Sequence, residues 1–579
     1  MQAHHPGFVY RQLHRRPTGC APSQEIVQIP QSGLLASASG RWYSKEHRAL
    51  DVKLPYIKTI VTLILISVSL PSQSAIRPNF IIIYVDDLGW ADTSVRMMDS
   101  DVESASDFHQ TPHLEQLARR GVKFSCAYAP SPTCTPSRKS IQFGKTPARL
   151  KYTFVHDVLA LQRKLKWKDE TSLADVVKAA DPAYITAHFG KGMSGEQMNT
   201  IGYDVTDEID GNAPNGNYHG EFISLKQRVP LPPNNPKRMS SLRKSAVDFV
   251  KQHSGQRPFF MMVSHYAVHV PHAARLDLIE KYRQLPRGKY CKDDDYLPPP
   301  DIPPARKNSS WRLQYAAMLE EVDEGLGAVV AAVEKSGQLE NTYIIFTSDN
   351  GGGLNPNGTL RGGKANLYEG GLRVPFVVAG PGVRKGIQCD IPIAQWDLLP
   401  TLHDCAGNHR PLPGGLDGGS LRNVFEHGNE GQVTRRVKGF VFHYPCFFAP
   451  PLSVIRLGDY KLIEHLRTGE QKLFNVVTDY REQHNLIDTD TTKAKELKTV
   501  LSQYLQSIDA EDIQDVYQAR FAELDRFEAQ ARSVHAQALQ RANGDSARIT
   551  EANKKLAKDL ARFAKNRQEC RTNMARTRF

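Results

Sequence analysis

Asn79-Phe-Ile-Ile-Ile-Tyr-Val-Asp86-Asp87-Leu-Gly decides the fold of this chain. Its apolar, β-branched run stops abruptly at two carboxylates. Such a run marks a strand buried on both faces, at the centre of a parallel sheet. Open α/β sheets bind ligands at the carboxyl ends of their strands. Two adjacent carboxylates there repel each other unless a cation joins them, and hard divalent cations prefer oxygen ligands.

Outward from that strand the pattern alternates. Thr111 to Gly121 reads as a helix with Pro at its start and Gly at its end. Val122 to Tyr128 leads through a Pro-rich loop to Cys134. A helix from Ser172 precedes a strand at Tyr184–Phe189, and a helix over Ser240–His253 precedes a strand at Pro258–His265. The long amphipathic helix Trp311–Ser336 leads to the strand Tyr343–Ser348, which ends at Asp349-Asn350-Gly-Gly. This order predicts an α/β fold, a large, mostly parallel sheet covered by helices. From about Lys438 short antiparallel strands around Gly-Asp turns form a smaller subdomain, closed by a helix over Lys493–Gln506. After Asp509 the chain reads as a solvated helical tail, split at Asn543-Gly. The expected divisions are 76–437 for the catalytic domain, 438–508 for the C-terminal subdomain and 509–579 for the tail. The segments 212–236 and 286–308 read as long surface loops.

A chain of 579 residues can bury one large core and a smaller one. Its net charge of +12 sits at the ends: residues 1–75 carry 8 Lys/Arg against 3 Asp/Glu, and 541–579 carry 11 against 4. The balanced stretch between gives no reason to expect a basic groove for nucleic acid. Lys53 to Lys58 is a short basic region. Thr59 to Leu70 is an apolar run too short for a comfortable membrane span, and small residues follow up to Ala75. Residues 52–75 thus read as a secretory signal peptide, which places the mature protein in the periplasm or outside the cell, without a stable membrane span. Residues 1–51 read as a mis-started extension, with Val52 as the true start codon. A tail before a signal anchor is the other reading. Without Cys20, ahead of the signal, and Cys134, six cysteines remain, and their pairing is open.

Cys134-Thr-Pro136-Ser-Arg138-Lys-Ser-Ile-Gln-Phe143-Gly144-Lys145 is similar to the signature of the formylglycine-dependent sulfatases of the alkaline phosphatase superfamily. That signature runs Cys-x-Pro-x-Arg, four variable residues, Thr, Gly and a basic residue, so Phe143 departs from it. Thr111–Ala118, Ala187–Lys191, Tyr266–His272, Arg361–Lys364, Tyr368–Pro375, Gln395–Leu402 and Ile455–Leu462 also resemble family strings, in the family's order. The resemblance covers residues 76 to 508. It implies that a maturation enzyme oxidises Cys134 to formylglycine, whose hydrate attacks sulfur. It implies Asp86, Asp87, Asp349, Asn350 and the modified Cys134 as metal ligands, for Ca2+ first and Mg2+ second. Arg138 would neutralise charge beside the nucleophile. Lys191, His269 and Lys364 would hold sulfate oxygens or protonate the leaving alcohol. The expected substrate is a sulfate ester, of carbohydrate by context. After Phe-Gly-Lys191 the family usually has Trp-His, and here Gly192-Met193 stands. Met193 cannot act as the base that expels sulfate, and His188 is the nearest histidine in sequence. His265, His272 and His443 match no family position and read as structural or substrate-fringe residues. Two other functions stay open: a phosphodiester or phosphonate hydrolase of the same superfamily, and an inactive sulfated-glycan-binding homologue.

The exported protein should begin at Ser74, Ala75 or Ile76. N-terminal sequencing of the secreted chain checks this, and any residue from before Val52 would count against it.

Overall fold

Every residue of strand β1 (Asn79–Val85) is buried, as its unbroken apolar run requires. The computed structural model describes residues 77–575 apart from 156, 164, 194–196, 208–217, 220–228, 287–310 and 354–356. The expected extension and signal peptide, Cys20, Cys291 and most of the two long loops lie outside the described residues.

Alternation along β1 divides the core in two. Ile81, Ile83 and Val85 pack with helices α1 (Pro112–Arg120), α4 (Met239–His253) and α5 (Trp311–Lys335). Phe80, Ile82 and Tyr84 pack on the other face, with α2 (Cys134–Phe143), α3 (Leu173–Ala180) and α6 (Leu398–Cys405). A strand facing helices on both sides needs apolar residues at every position, which is why its run is continuous. Local signals set the helix ends. Ser172 and Asp175 form a capping box on α3, and Gly144 ends α2 at φ 63°, where its N–H reaches the Ser140 carbonyl.

The main sheet has eight strands in the order β8-β2-β7-β6-β1-β5-β3-β4. They are β2 (Val122–Phe124), β3 (Ile185–Gly190), β4 (Val205–Thr206), β5 (Phe259–Ser264), β6 (Thr342–Ser348), β7 (Phe376–Ala379) and β8 (Ile387–Cys389). β1 pairs in parallel with β5 and β6, placing Ile83 opposite Val263 and Phe346. β3 pairs in parallel with β5. Only β7 runs antiparallel, between β6 and β2. The four parallel strands β3, β5, β1 and β6 therefore end side by side. Lys191, His265, Asp86 and Asp349 emerge from one edge.

The C-terminal region forms a second, antiparallel sheet of β9 (Phe440–Tyr444), β10 (Leu452–Leu457), β11 (Tyr460–His465) and β12 (Gln471–Asn475), in chain order. Phe440, Phe442, Val454 and Ile463 face Tyr128 and Trp396 of the main domain. Val441, Ile455, Leu462 and Leu473 lie under α7 (Thr491–Ser507). A buried polar joint crosses this boundary. Lys461 Nζ lies 2.7 Å from Glu369 and 2.9 Å from Glu482. Glu369 also pairs with Arg373 and accepts from the Tyr128 hydroxyl at 2.8 Å. Burial alone would raise the Glu369 carboxyl, but Lys461 and Arg373 hold it down at about 2.

The expected solvated tail is a helical hairpin, and its first turns are not solvated. Ile513, Val516, Tyr517 and Leu524 of α8 (Ile513–Ala542) are buried, Val516 among Phe154, Tyr444 and Phe474. Asn543, at φ 44°, turns the chain into α9 (Ser546–Ala575), which returns along α8. Arg567 pairs with Asp525 and Glu528, and Phe563 stacks on Phe527. No helix among the described residues is long and apolar enough to cross a membrane.

Lys461→Met removes the cation and leaves two carboxylates buried. It should cost about 3–5 kcal/mol, read as a lower urea midpoint. An unchanged midpoint would mean that the joint does not hold the two sheets together.

Candidate active site

The edge where the parallel strands end gathers the charges. Asp86 and Asp349 are fully buried and Asp87 nearly so. Asp87 adopts φ 63°, so the chain turns sharply directly after Asp86. Its N–H donates to Asp349 Oδ1 at 3.0 Å. Asn350 Nδ2 donates to Asp87 Oδ1 at 2.8 Å. Cys134 opens α2, and candidate ligand atoms of Asp86, Cys134 and Asp349 all lie within 4.8 Å of one another. Three of the metal ligands inferred from sequence, Asp86, Cys134 and Asp349, thus converge, and hydrogen bonds tie Asp87 to Asp349 and to Asn350.

The expected cations surround them. Arg138, one turn along α2, donates through Nε to Asp349 Oδ2 at 2.8 Å, and through Nη1 to the Ser264 hydroxyl at 2.5 Å and the Lys191 carbonyl at 2.8 Å. Its guanidinium lies 5.1 Å from the Tyr84 ring centroid. Lys191 Nζ donates to Asp86 Oδ2 at 2.5 Å, and Lys364 Nζ to Asp87 Oδ2 at 2.6 Å. His269 Nε2 sits 3.6 Å from Asp87 Oδ2, while its Nδ1 is 2.5 Å from the Val270 carbonyl.

These contacts set the protonation states. Burial opposes ionisation of Asp86 and Asp87, but Lys191 beside the first and Lys364 beside the second win, and both carboxyls stay below the usual range. Asp349 goes the other way: burial, with two neighbouring carboxylates, pushes it up to about 7 despite Arg138. Burial also raises the Cys134 thiol and lowers His269 to about 4. The donor set fits a hard divalent cation. Asp86 Oδ1 and Asn350 Oδ1 are buried acceptor atoms without a hydrogen-bond partner in the protein. Orphaned oxygens of this kind are costly unless something takes them up.

Other expectations fare differently. Met193 is fully buried in the core on the Phe80 face, among apolar side chains. His188 is buried edge-on against Tyr203 at 5.4 Å, and burial lowers it to about 3. Arg138 adds to the effect of burial, so the ring is held neutral. His443 is structural, bonded to the Ser453 hydroxyl and the Glu511 carbonyl. His265 is buried beside Arg138 and its Nδ1 has no partner. Phe143, where the signature has Thr, stacks on Trp167 at 5.6 Å. Sequence reasoning missed Lys237, fully buried and within the field of Asp86, Lys191, Asp87 and Lys364, where burial lowers it to about 7. It missed Ser264 and Phe448 as well.

A cavity of about 550 Å3 opens over these groups. Asp87, Cys134, His269 and Lys364 line its charged part, and Val155, Val268, Val270, Tyr315 and Phe448 its apolar part. A family model described as Sulfatase matches residues 78–408. The chain belongs to the sulfatase family. A second model, N-sulphoglucosamine sulphohydrolase, C-terminal, matches residues 363–511. This sulfatase is 28% identical over 493 residues to a sulfatase of Formosa agariphila, covering 71% of this chain and 84% of that one. It is 26% identical over 407 residues to an ulvan-active sulfatase of the same organism, covering 65% and 72%. The solved structure of BT4656 in complex with its substrate D-glucosamine-2-N,6-O-disulfate shares the fold, with TM-score 0.58 and 22% identity, over 75% of this chain and 98% of that one. The chain is thus a sulfuric ester hydrolase by family.

Asp349→Ala should lose the bound divalent metal, measured by elemental analysis of the purified protein, because a small oxygen cage tolerates the loss of an anionic ligand poorly. Lys364→Ala should keep metal and fold but lower kcat/KM by about 10²–10³-fold, as for loss of one preorganised charge donor. Full metal content in Asp349→Ala would refute the ligand set.

Proposed function

We propose that the protein is an exported carbohydrate sulfatase whose nucleophile derives from Cys134 by oxidation to formylglycine. One observation carries this reading: Cys134 stands within 4.8 Å of Asp86 and Asp349, in a cavity shared with His269 and Lys364. As a thiol, Cys134 is a poor nucleophile here, because burial and the neighbouring carboxylates hold it protonated. Hydrated formylglycine at position 134 would supply two hydroxyls, one to attack sulfur and one to expel sulfate, splitting the hydrolysis into two steps. A Ca2+ or Mg2+ ion held by Asp86, Asp87, Asp349 and Asn350 would favour ionisation of the attacking hydroxyl and offset sulfate charge.

The chain's own residues do the rest. Arg138 fixes Asp349 against α2 and keeps residue 134 over the carboxylates. Lys191 and Lys364 present ammonium groups that an incoming sulfate can share with Asp86 and Asp87. His269 is held with Nδ1 against a carbonyl, so Nε2 is the atom free to exchange a proton with the leaving alcohol oxygen. Burial keeps the ring neutral in the free enzyme. Negative charge brought by the substrate favours its protonated, donating form. The carbohydrate reading draws support from the ulvan-active relative and from the structural neighbour whose substrate is a sulfated glucosamine. Export rests on the pattern over residues 52–75.

Peptide mass spectrometry of enzyme made in a host with the maturation enzyme should find an aldehyde in place of the Cys134 thiol. That enzyme should release sulfate from at least one member of a panel of defined sulfated saccharides, and Cys134→Ala should release none. Full activity with an unmodified thiol would refute the mechanism. Faster turnover of phosphonate than of sulfate esters would refute the substrate class.

A further inference from the structure

Phe448 is large, apolar and 54% exposed, yet it lines the cavity that contains Cys134 and Lys364. It stands on the loop between β9 and β10, so it belongs to the small sheet and not to the charged edge. An aromatic ring that lines a cavity offers a large apolar surface for a ligand to cover. A sulfated sugar has two chemical sides: an anionic ester, and a ring face made of C–H groups. The cations at the strand ends suit the first. The apolar part of the cavity, Val155, Val268, Val270 and the face of Phe448, suits the second.

The loop that carries Phe448 is held from below. Phe447 and Phe448 stand perpendicular at 5.2 Å, and both are perpendicular to Phe154, at 5.7 and 6.0 Å. The Arg520 guanidinium of α8 sits 4.8 Å from the Phe447 ring centroid. Asn573, in the last turns of α9, donates from Nδ2 to the Phe447 carbonyl at 3.3 Å. Phe447 also packs on the cluster of Ile513, Tyr517 and Cys570. The start of α8 and the end of α9 therefore meet beneath one residue. Both lie beyond residue 511, where the second family match ends.

We propose that Phe448 is the stacking platform for the sugar ring that bears the scissile sulfate, and that the α8–α9 hairpin positions it through Phe447. This rests on the sulfatase reading above. It divides recognition between the two sheets: the strand ends hold the ester and the small sheet holds the ring. Arg520 and Asn573 are positioning residues.

The test uses full-length, formylglycine-bearing enzyme and the panel saccharide from which it releases sulfate. Phe448→Ala should raise KM for that saccharide by about tenfold, the loss from exposing roughly two methylene equivalents, and lower kcat less. Phe448→Tyr should restore KM. The desulfated saccharide should become a weaker inhibitor in Phe448→Ala, while inhibition by inorganic sulfate, which reads the anion pocket alone, should not change. Arg520→Ala should move KM in the same direction, and Arg520→Lys, which keeps a cation over the ring, should restore it. Unchanged saccharide KM in Phe448→Ala, with active wild type, overturns the proposal. So does equal weakening of saccharide and inorganic sulfate, which would mean that the ring only supports the fold. If the wild type releases sulfate from no panel member, the carbohydrate reading proposed above falls and this proposal with it.

Discussion

Three carboxylates buried at the ends of two adjacent strands are the constraint from which the rest of this structure follows. Asp86, Asp87 and Asp349 cannot share a water-poor site unless cations reach them. Arg138, Lys191 and Lys364 do so from three separate elements: a helix, a neighbouring strand end and a distant loop. Each long side chain fixes the element that carries it. Arg138 ties α2 to β6 through Asp349 and to β5 through Ser264, so the residue opening α2 is held over the carboxylates. The same ion pairs that permit burial thus set the geometry of the nucleophile. Orphaned oxygens remain on Asp86 and Asn350, so the protein alone leaves two buried acceptors at this site without a hydrogen bond.

The second sheet is attached by a different logic. Its apolar face covers Tyr128 and Trp396, and its buried Lys461 reaches across to Glu369. A polar joint of this kind is costly to misalign, since either partner would be left charged in the interior. That fixes the register between the sheets and, with it, the distance from the β9–β10 loop to the strand ends. The cavity is the gap left between these two rigid parts.

Much of this was legible in the sequence where the determinants are contiguous. The β1 run announces its own burial on two faces, and Asp86-Asp87 and Asp349-Asn350 follow directly on strands whose pattern is clear. The signature around Cys134 needs no long-range information either. What was not legible depends on contacts between distant segments. His188 lies three residues from Lys191, and strand alternation does not reveal that its ring meets Tyr203. Lys237 comes from a polar stretch whose composition suggests solvent, and only the fold shows that it is buried beside the active site. The tail carries helical periodicity without a strong apolar stripe. The packing of its first turns against Phe154 and Tyr444 could not be read from that periodicity.

The whole of α2 is buried, from Cys134 through Phe143, between the main sheet and helices α3 and α6. Cys134 meets solvent only through the cavity, and Pro136 and Arg138 are closed off entirely, so an enzyme carrying out the oxidation proposed above could not reach the whole string in the folded protein. The proposed chemistry at this residue would therefore be a matter of timing. It would belong to the interval between synthesis of the segment and closure of the core around it, and the more stable the native state, the more final a missed encounter would become. A chain that folds first would keep an intact architecture with a thiol at the floor of its cavity, and refolding from the unfolded state would be its route back to such an enzyme.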